Sequence, residues 1–435
     1  MKFYDRDTEI AILRKYEKNS SVAAQMTMLL GRRRVGKTTL LKNTFTSTPV
    51  LYFFVAKKNE VLLCEEFTRE TEEKLAISLG TFQSFAALFK TLMMQSQTEN
   101  FTLIVDEFQE FASINPSVFS DIQNIWDSYK NSSKINVIFC GSIYSMMTKI
   151  FENSKEPLFG RITAKMIVKP FAINTIKQIL HDCHPQYSNE DLLTFYMITG
   201  GIAKYIEQLV INRAFTKKKI FDVIFSESSF FLDEGKAVLI DEFGKEYGNY
   251  FSILSLIASS KTDRGDMEST LQIPVGGYLD RLEKDYGLIK RRRPFGANGG
   301  SRYNKYVIED NFLNFWFRFI YKYRSAIEIG NLEYVRNIVE RDYETYSGLI
   351  LEKYFRAKLI DSRQFSAIEG YWDRKGESEI DIVAVNEFEK KLVFYEVKRN
   401  EKRINLQLLE QKAATITKKY PDFHVEYKKL SINDM

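Results

Sequence analysis

Gly31, Gly36, Lys37 and Thr38 carry the clearest chemistry in this chain. They sit in Gly31-Arg32-Arg33-Arg34-Val35-Gly36-Lys37-Thr38-Thr39, the G-x-x-x-x-G-K-[ST] spacing of a phosphate-binding loop. The glycines let backbone N–H groups turn toward phosphate oxygens, and the following helix adds the positive end of its dipole. Lys37 would reach the outer phosphates of a nucleoside triphosphate, and Thr38 would hold Mg²⁺. A second set follows an apolar run at 101–105. Asp106 would stand beside the Mg²⁺, leaving Glu107 to orient an attacking water. Gly141-Ser142 ends another apolar run. Ser142 either lies near the γ-phosphate or caps the next helix. Arg161 is a candidate arginine finger, acting within the chain or on a neighbour in a homo-oligomer, or else an ordinary surface arginine.

Glu379-Ile380-Asp381 and Glu396-Val397-Lys398 form the other chemical cluster. Two apolar runs flank a polar turn centred on Phe388-Glu389, which is a hairpin pattern. That turn places Asp381 opposite Glu396 and gathers charge at one end of an apolar sheet. Like charges facing each other are destabilising unless a cation lies between them. Two acids on Mg²⁺ with a neighbouring lysine can hydrolyse a phosphodiester. A solvated sheet end with a Glu–Lys pair is the alternative. A third cluster, Lys290-Arg291-Arg292-Arg293, is either a wing touching DNA phosphates or a solvated hairpin.

The elements that must position these groups follow from hydrophobic periodicity. Short apolar runs at 26–30, 50–55, 101–105 and 135–140, with a weaker one at 164–168, read as strands. Helical segments separate them, which predicts a parallel sheet covered by helices. Residues 171–230 read as helices, broken at Gly200-Gly201. Helical segments ending in YLDRLEKDYGLI, then the basic run, GANGG and SRYNKYVIED, suggest a winged helix-turn-helix. Residues 311–362 read as helices, aromatic at first. Strands return at 366–372, 379–386 and 391–398, followed by a helix at about 402–418 and a strand near 423–430.

Composition narrows the class. A chain of 435 residues with 44% hydrophobic and 27% charged residues is that of an ordinary globular protein of several domains. A net charge of +5 permits nucleic-acid binding without requiring it. Cys64, Cys140 and Cys183 show neither metal-ligand spacing nor a disulfide framework. The start, MKFYDRDTEI, has no signal-peptide core, and the apolar stretch from Phe312 to Tyr323 is too short for a membrane span. The expectation is a cytoplasmic protein with no membrane partner.

FYDRDTEI, GRRRVGKTTLL, LIVDEFQEF, CGSIYSMM, FGR, TGGIAKYI, YVIEDNFLNFWFRFI, SEIDIVAV and FYEVKR together are similar to one known group. The chain resembles archaeal-type P-loop ATPases of the AAA+/STAND-like group that carry a C-terminal PD-(D/E)XK nuclease-like domain. The resemblance runs over nearly the whole chain. It implies ATP as the nucleotide, Mg²⁺ as its metal and DNA as a partner. It implies an α/β fold: a P-loop NTPase parallel sheet over 1–170 and a helical lid over 171–235. A winged helix-turn-helix over 236–310, a helical connector over 311–345 and a restriction-endonuclease-like domain over 346–435 complete it. Asp381, Glu396 and Lys398 match the nuclease motif, and Glu352 matches the acid supplied by the preceding helix.

Overall fold

The computed structural model describes residues 2–45, 48–243, 247–297, 303–373 and 378–435. They form two compact units, one of residues 5–169 and one of residues 170–435 together with the first four.

In the first unit, α1 (Asp7–Ser20) precedes β1 (Gln25–Leu30), α2 (Lys37–Thr44), β2 (Val50–Phe54), α3 (Glu60–Leu75) and α4 (Phe85–Gln95). Then come β3 (Phe101–Asp106), α5 (Phe111–Ile114), α6 (Val118–Tyr129), β4 (Ile135–Gly141), α7 (Tyr144–Glu152) and β5 (Ala164–Ile167). The five strands are parallel, in the order β2-β3-β4-β1-β5. Helices cover a parallel sheet on both faces, so its inner strands read as unbroken apolar runs. Every residue of β3 and β4 is buried, whereas the edge strand β5 buries only Met166. Because the strands are parallel, the C-terminal ends of β1, β3 and β4 share one edge. That edge is where ligands bind in open α/β sheets.

The second unit begins with five helices, α8 (Ile173–Cys183), α9 (Asn189–Thr199), α10 (Ala203–Ile211), α11 (Lys217–Ile224) and α12 (Phe230–Phe243). A capping box at Ser188 and Asp191 starts α9, and Gly200 and Gly201, both at positive φ, separate it from α10. Next are α13 (Tyr247–Ala258), α14 (Arg264–Leu271), α15 (Gly276–Lys284) and the antiparallel hairpin β6 (Ile289–Arg292) and β7 (Lys305–Ile308). Residues 298–302 of the glycine-rich turn lie outside the described residues. The aromatic stretch forms α16 (Asn311–Phe315) and one π-helical segment, Trp316–Tyr321. Phe312, Phe315, Trp316, Phe317 and Phe319 are all core.

After α17 (Arg324–Glu328) comes α18 (Leu332–Asp361), a continuous helix of 30 residues. The boundary expected at 345–346 falls inside it. A mixed sheet follows, built from β8 (Ala367–Trp372), β9 (Glu379–Asn386), β10 (Lys391–Val397) and β11 (His424–Leu430) in the order β11-β10-β9-β8, with α19 (Leu406–Thr417) before the last strand. Strand alternation sorts its two faces. Val383, Val385, Leu392 and Phe394 pack with Leu409 and Ala413 of α19. Ile382, Ala384, Val393 and Tyr395 join the core that contains Tyr354 and Phe355 of α18. The β9–β10 pairing runs from Asn386 with Lys391 to Ile382 with Tyr395, and Asp381 and Glu396 come next to that last pair.

Candidate functional site

The phosphate loop connects β1 to α2. Its N-cap, Gly36, has φ +98°, a conformation that favours glycine, and Arg34 also lies in the left-handed region. Lys37 is 8% exposed, and its ammonium donates to the carbonyl oxygens of Gly31 at 2.6 Å and Arg32 at 3.4 Å. Burial lowers its pKa, opposed by Glu107 and Asp106. Val35 is buried, and Arg32, Arg33 and Thr39 are partly buried or at the surface. Buried Arg6 braces the loop, donating to the carbonyls of Lys169 at 2.8 Å and Val35 at 3.5 Å.

Asp106 ends β3 and Glu107 follows it, at the strand end the spacing predicts. Glu107 has φ +55°, so its side chain leaves the strand path. Ser142 donates its hydroxyl to Glu107 Oε2 at 2.8 Å, and the N-cap of α7 is Ile143. Fully buried Gln109 also donates to Glu107 Oε2, and its own Oε1 has no hydrogen-bond partner. Gly141 makes room for this arrangement, because a Cβ there would meet Gln109 Oε1 at 2.6 Å. On the other side, the Tyr52 hydroxyl donates to Asp106 Oδ2. Burial and then Asp106 raise the Tyr52 pKa. The sequence reading singled out neither Tyr52 nor Gln109. Tyr52 looks like one more member of an apolar strand, and Gln109 like a residue of an amphipathic turn.

Arg161 is held within its own unit. It donates to Asp127 at 2.8 and 3.1 Å and to the carbonyls of Pro157 and Phe159. This bonding to Arg161 holds the Asp127 carboxyl below its usual range.

In the second unit, the end of the β9–β10 ladder brings Asp381, Glu396 and Lys398 together. The Lys398 ammonium lies 2.9 Å from Glu396 and 3.4 Å from Asp381. Burial works to lower the Lys398 pKa, but the two acids outweigh it, so the net shift is upward. Asp381 also accepts from the Val397 amide at 2.7 Å. Burial first, then Glu352, pushes its carboxyl up to about 6. Glu396 Oε2 is buried with no hydrogen-bond partner among the described residues.

Glu352 lies on α18 beside this pair, but Arg356, one turn further on, takes it at 2.8 Å. The same guanidinium donates to the Asp381 carbonyl at 2.7 Å. Among the described residues, no group of three or more His, Cys, Asp or Glu side chains is placed to hold a metal ion. A cavity of about 490 Å³ adjoins the pair, lined by Glu352, Asp381, Lys398, Arg399 and Arg403.

The basic run is divided. Lys290 is exposed and Arg293 half-buried. Arg291 pairs with Glu283 at 3.3 Å, and Arg292 with Glu352 at 3.8 Å and Glu309 at 4.0 Å. Two of the four cations expected to face DNA are therefore turned toward acids of the same chain.

Comparison with known proteins agrees with the first unit's geometry. Residues 3–209 match a family described as an ATPase domain predominantly from Archaea. Residues 316–416 match a family described as Archaea bacterial proteins of unknown function. The chain is 28% identical to an uncharacterized protein of Methanocaldococcus jannaschii, over 91% of this chain and 87% of that one. Its fold is similar to a Walker-type ATPase of Pyrococcus abyssi, with TM-score 0.56, 19% identity and coverage of 72% of this chain and 96% of the other. It is also similar to the ORC2 protein of Aeropyrum pernix in ADPNP–ADP complexes, with TM-score 0.50, 14% identity and coverage of 79% and 96%. Residues 3–209 thus carry a P-loop ATPase domain, and the protein is an ATP-hydrolysing enzyme. Among the described residues no helix is long and apolar enough to cross a membrane.

Proposed function

We propose that this ATPase acts on DNA and that its C-terminal sheet carries a metal-dependent phosphodiester-hydrolysing site. The observation that carries the reading is Lys398 bridging Asp381 and Glu396 while Glu396 Oε2 stays buried and, among the described residues, unpartnered. A buried carboxylate oxygen without a donor costs free energy and suits a cation. Asp381 and Glu396 would hold Mg²⁺, which when bound would lower the pKa of a water and neutralise phosphate charge. Lys398 offers an ammonium for developing negative charge. Lys290 and Arg293 remain available for DNA phosphates, while Arg291 and Arg292 serve inside the fold.

In the ATPase unit, Thr38 and Asp106 would hold the nucleotide's Mg²⁺, and the Tyr52 hydroxyl that donates to Asp106 supports this role for the acid. Glu107, steadied by Ser142 and Gln109, is the group that orients water for attack. The site residues of the loop, Gly31 to Thr39, serve phosphate binding. The winged-helix reading of α13 to β7 and the restriction-endonuclease-like reading of the four-stranded sheet belong to this proposal, as do a homo-oligomeric state and a cytoplasmic location.

A second reading has one specific observation in its favour: Arg356 holds Glu352, so a three-carboxylate centre is not assembled. In that reading the sheet is a silent binding module controlled by ATP. The test is cleavage of single- and double-stranded DNA with Mg²⁺ or Mn²⁺, with and without ATP, by wild type, Lys37→Ala and Asp381→Ala. The expected result is cleavage that Asp381→Ala abolishes while ATP binding persists. Cleavage unchanged in Asp381→Ala sinks the nuclease site, and no cleavage under any condition leaves the silent module.

A further inference from the structure

A second cavity, of about 270 Å³, shares Leu349, Glu352 and Asp381 with the first as a common wall. Its other lining is cationic and aromatic: Arg292, Lys305, Lys353 and Arg356, with Tyr306 and Trp372. Four cations thus face three carboxylates, Glu352, Glu379 and Asp381. Lys305 pairs with Glu379 at 2.8 Å and lies over the Trp372 ring at 4.7 Å. Asp381 is engaged by Lys398 and the Val397 amide. Among the described residues Lys353 has only neutral acceptors, the carbonyls of Ile308 at 2.6 Å and Glu309 at 3.5 Å and Asn311 Oδ1 at 3.3 Å, and burial lowers its pKa to about 8.

Glu352 is left to serve two guanidiniums, Arg356 at 2.8 Å and Arg292 at 3.8 Å. Among the described residues, Arg292 has only Glu309 at 4.0 Å besides. The Arg356 Nε is buried with no hydrogen-bond partner among the described residues. Burial and then its neighbour Arg356 lower the Arg292 pKa. Buried guanidiniums are costly unless paired and fully hydrogen-bonded. Here Arg292 and Arg356, both partly buried, lean chiefly on Glu352, with the more distant Glu309 for Arg292 and a fork N–H of Arg356 to spare. A phosphate matches that surplus, because its oxygens accept from planar guanidinium forks and its charge balances the second arginine.

We propose that this cavity is a phosphate-binding subsite in which Arg292 and Arg356 take a phosphomonoester group. The site stands on its own geometry, and it rests on the DNA-processing reading only for the source of that phosphate. A phosphate bound here would lie behind the Glu352–Asp381 wall, beside the proposed hydrolytic centre. The cavity is too small for duplex DNA and large enough for a phosphate with at most a single nucleotide. The source is therefore a strand end or a free phosphate.

The experiment is calorimetric titration of full-length Lys37→Ala, which disables the phosphate loop, with inorganic phosphate. Parallel titrations use a single-stranded oligonucleotide with and without a 5′-phosphate, and Trp372 emission serves as a local reporter. The expected result is saturable phosphate binding that Arg356→Gln and Arg292→Gln each weaken by about tenfold or more, the loss of one charged hydrogen bond. Glu352→Gln, which removes the competing carboxylate, is expected to tighten binding, and a folding defect would not do that. Preference for the 5′-phosphorylated strand assigns a strand end. Phosphate binding without that preference assigns a free phosphate, and both support the subsite. No saturable binding, or binding that neither arginine substitution changes, overturns it. Retained phosphate binding with no DNA cleavage by the wild type would sink the hydrolytic reading alone.

Discussion

The two charged sites of this chain solve the same problem, gathering charge in a partly buried place, by opposite routes. The phosphate loop is local. Nine consecutive residues supply its backbone donors and lysine, and its acids follow the next-but-one strand in the sequence, β3. Its carboxylates are steadied by neutral donors: Tyr52 on Asp106, Ser142 and Gln109 on Glu107. The C-terminal site is assembled from β6, α18, β9 and β10, and its carboxylates are held by cations: Lys398, Arg292 and Arg356. Neutral donors orient an acid and leave its charge available to a metal or a water. Cationic partners cancel that charge and must be displaced before it can act. The first site is thus preorganised, and the second is held in check by its own salt bridges.

The sharpest way to break this comparison is at Glu107. If its neutral partners serve to aim a working carboxylate, Glu107→Gln keeps the shape and removes the charge. Steady-state ATPase assays are expected to show kcat reduced about 10²–10⁴-fold, the range for loss of a general base. ATP binding, followed by a fluorescent analogue, is expected to persist. A kcat close to wild type would mean that Glu107 is only a structural cap and that the two sites do not differ in readiness.

The next effect concerns stability in the C-terminal site. Asp381 has its carboxyl raised to about 6, chiefly by burial. The folded state therefore keeps this proton to higher pH than the unfolded chain does. Between about pH 4 and pH 6 the native state binds more protons, so stability falls as pH rises through that window. The penalty is complete at neutral pH. Asp381→Asn does not ionise, so it is expected to be more stable than wild type at pH 7.5 by up to about 3 kcal/mol. The difference should vanish below about pH 4. Urea unfolding at a series of pH values measures it, and a pH-independent difference would show that the Lys398 ion pair offsets the burial.

The same contrast explains what could be read from the sequence. The loop was legible because its chemistry is contiguous and demands fixed residue types. The parallel sheet was legible because buried strands must be apolar throughout, as β3 and β4 are. The β9–β10 register was legible from a polar turn between two apolar runs. Tyr52 was not, since a strand tyrosine looks the same whether its hydroxyl meets solvent or Asp106. Arg356 was not, since an i,i+4 Glu–Arg pair on a helix is usually surface decoration. Here it neutralises an acid at a site. The basic run misled in part because the acids that claim Arg292, Glu309 and Glu352, lie 17 and 60 residues away, and only the fold brings them near.

Arg161 gives the smallest expected effect and tests whether the ATPase site is complete within one chain. Its guanidinium is spent on Asp127 and two carbonyls in its own unit. A partly exposed pair of this kind contributes about 0.2–1 kcal/mol. Arg161→Ala is therefore expected to lower stability by less than about 1 kcal/mol and to leave ATP turnover near wild type. A large fall in kcat with unchanged stability would mean that the arginine leaves Asp127 to reach a nucleotide. Mixing Arg161→Ala with Lys37→Ala would then decide whose nucleotide. Recovery of activity in the mixture requires one subunit to lend its arginine to the loop of another. No recovery confines the arginine to its own chain, and the first site would then be as dependent on releasing an internal salt bridge as the second.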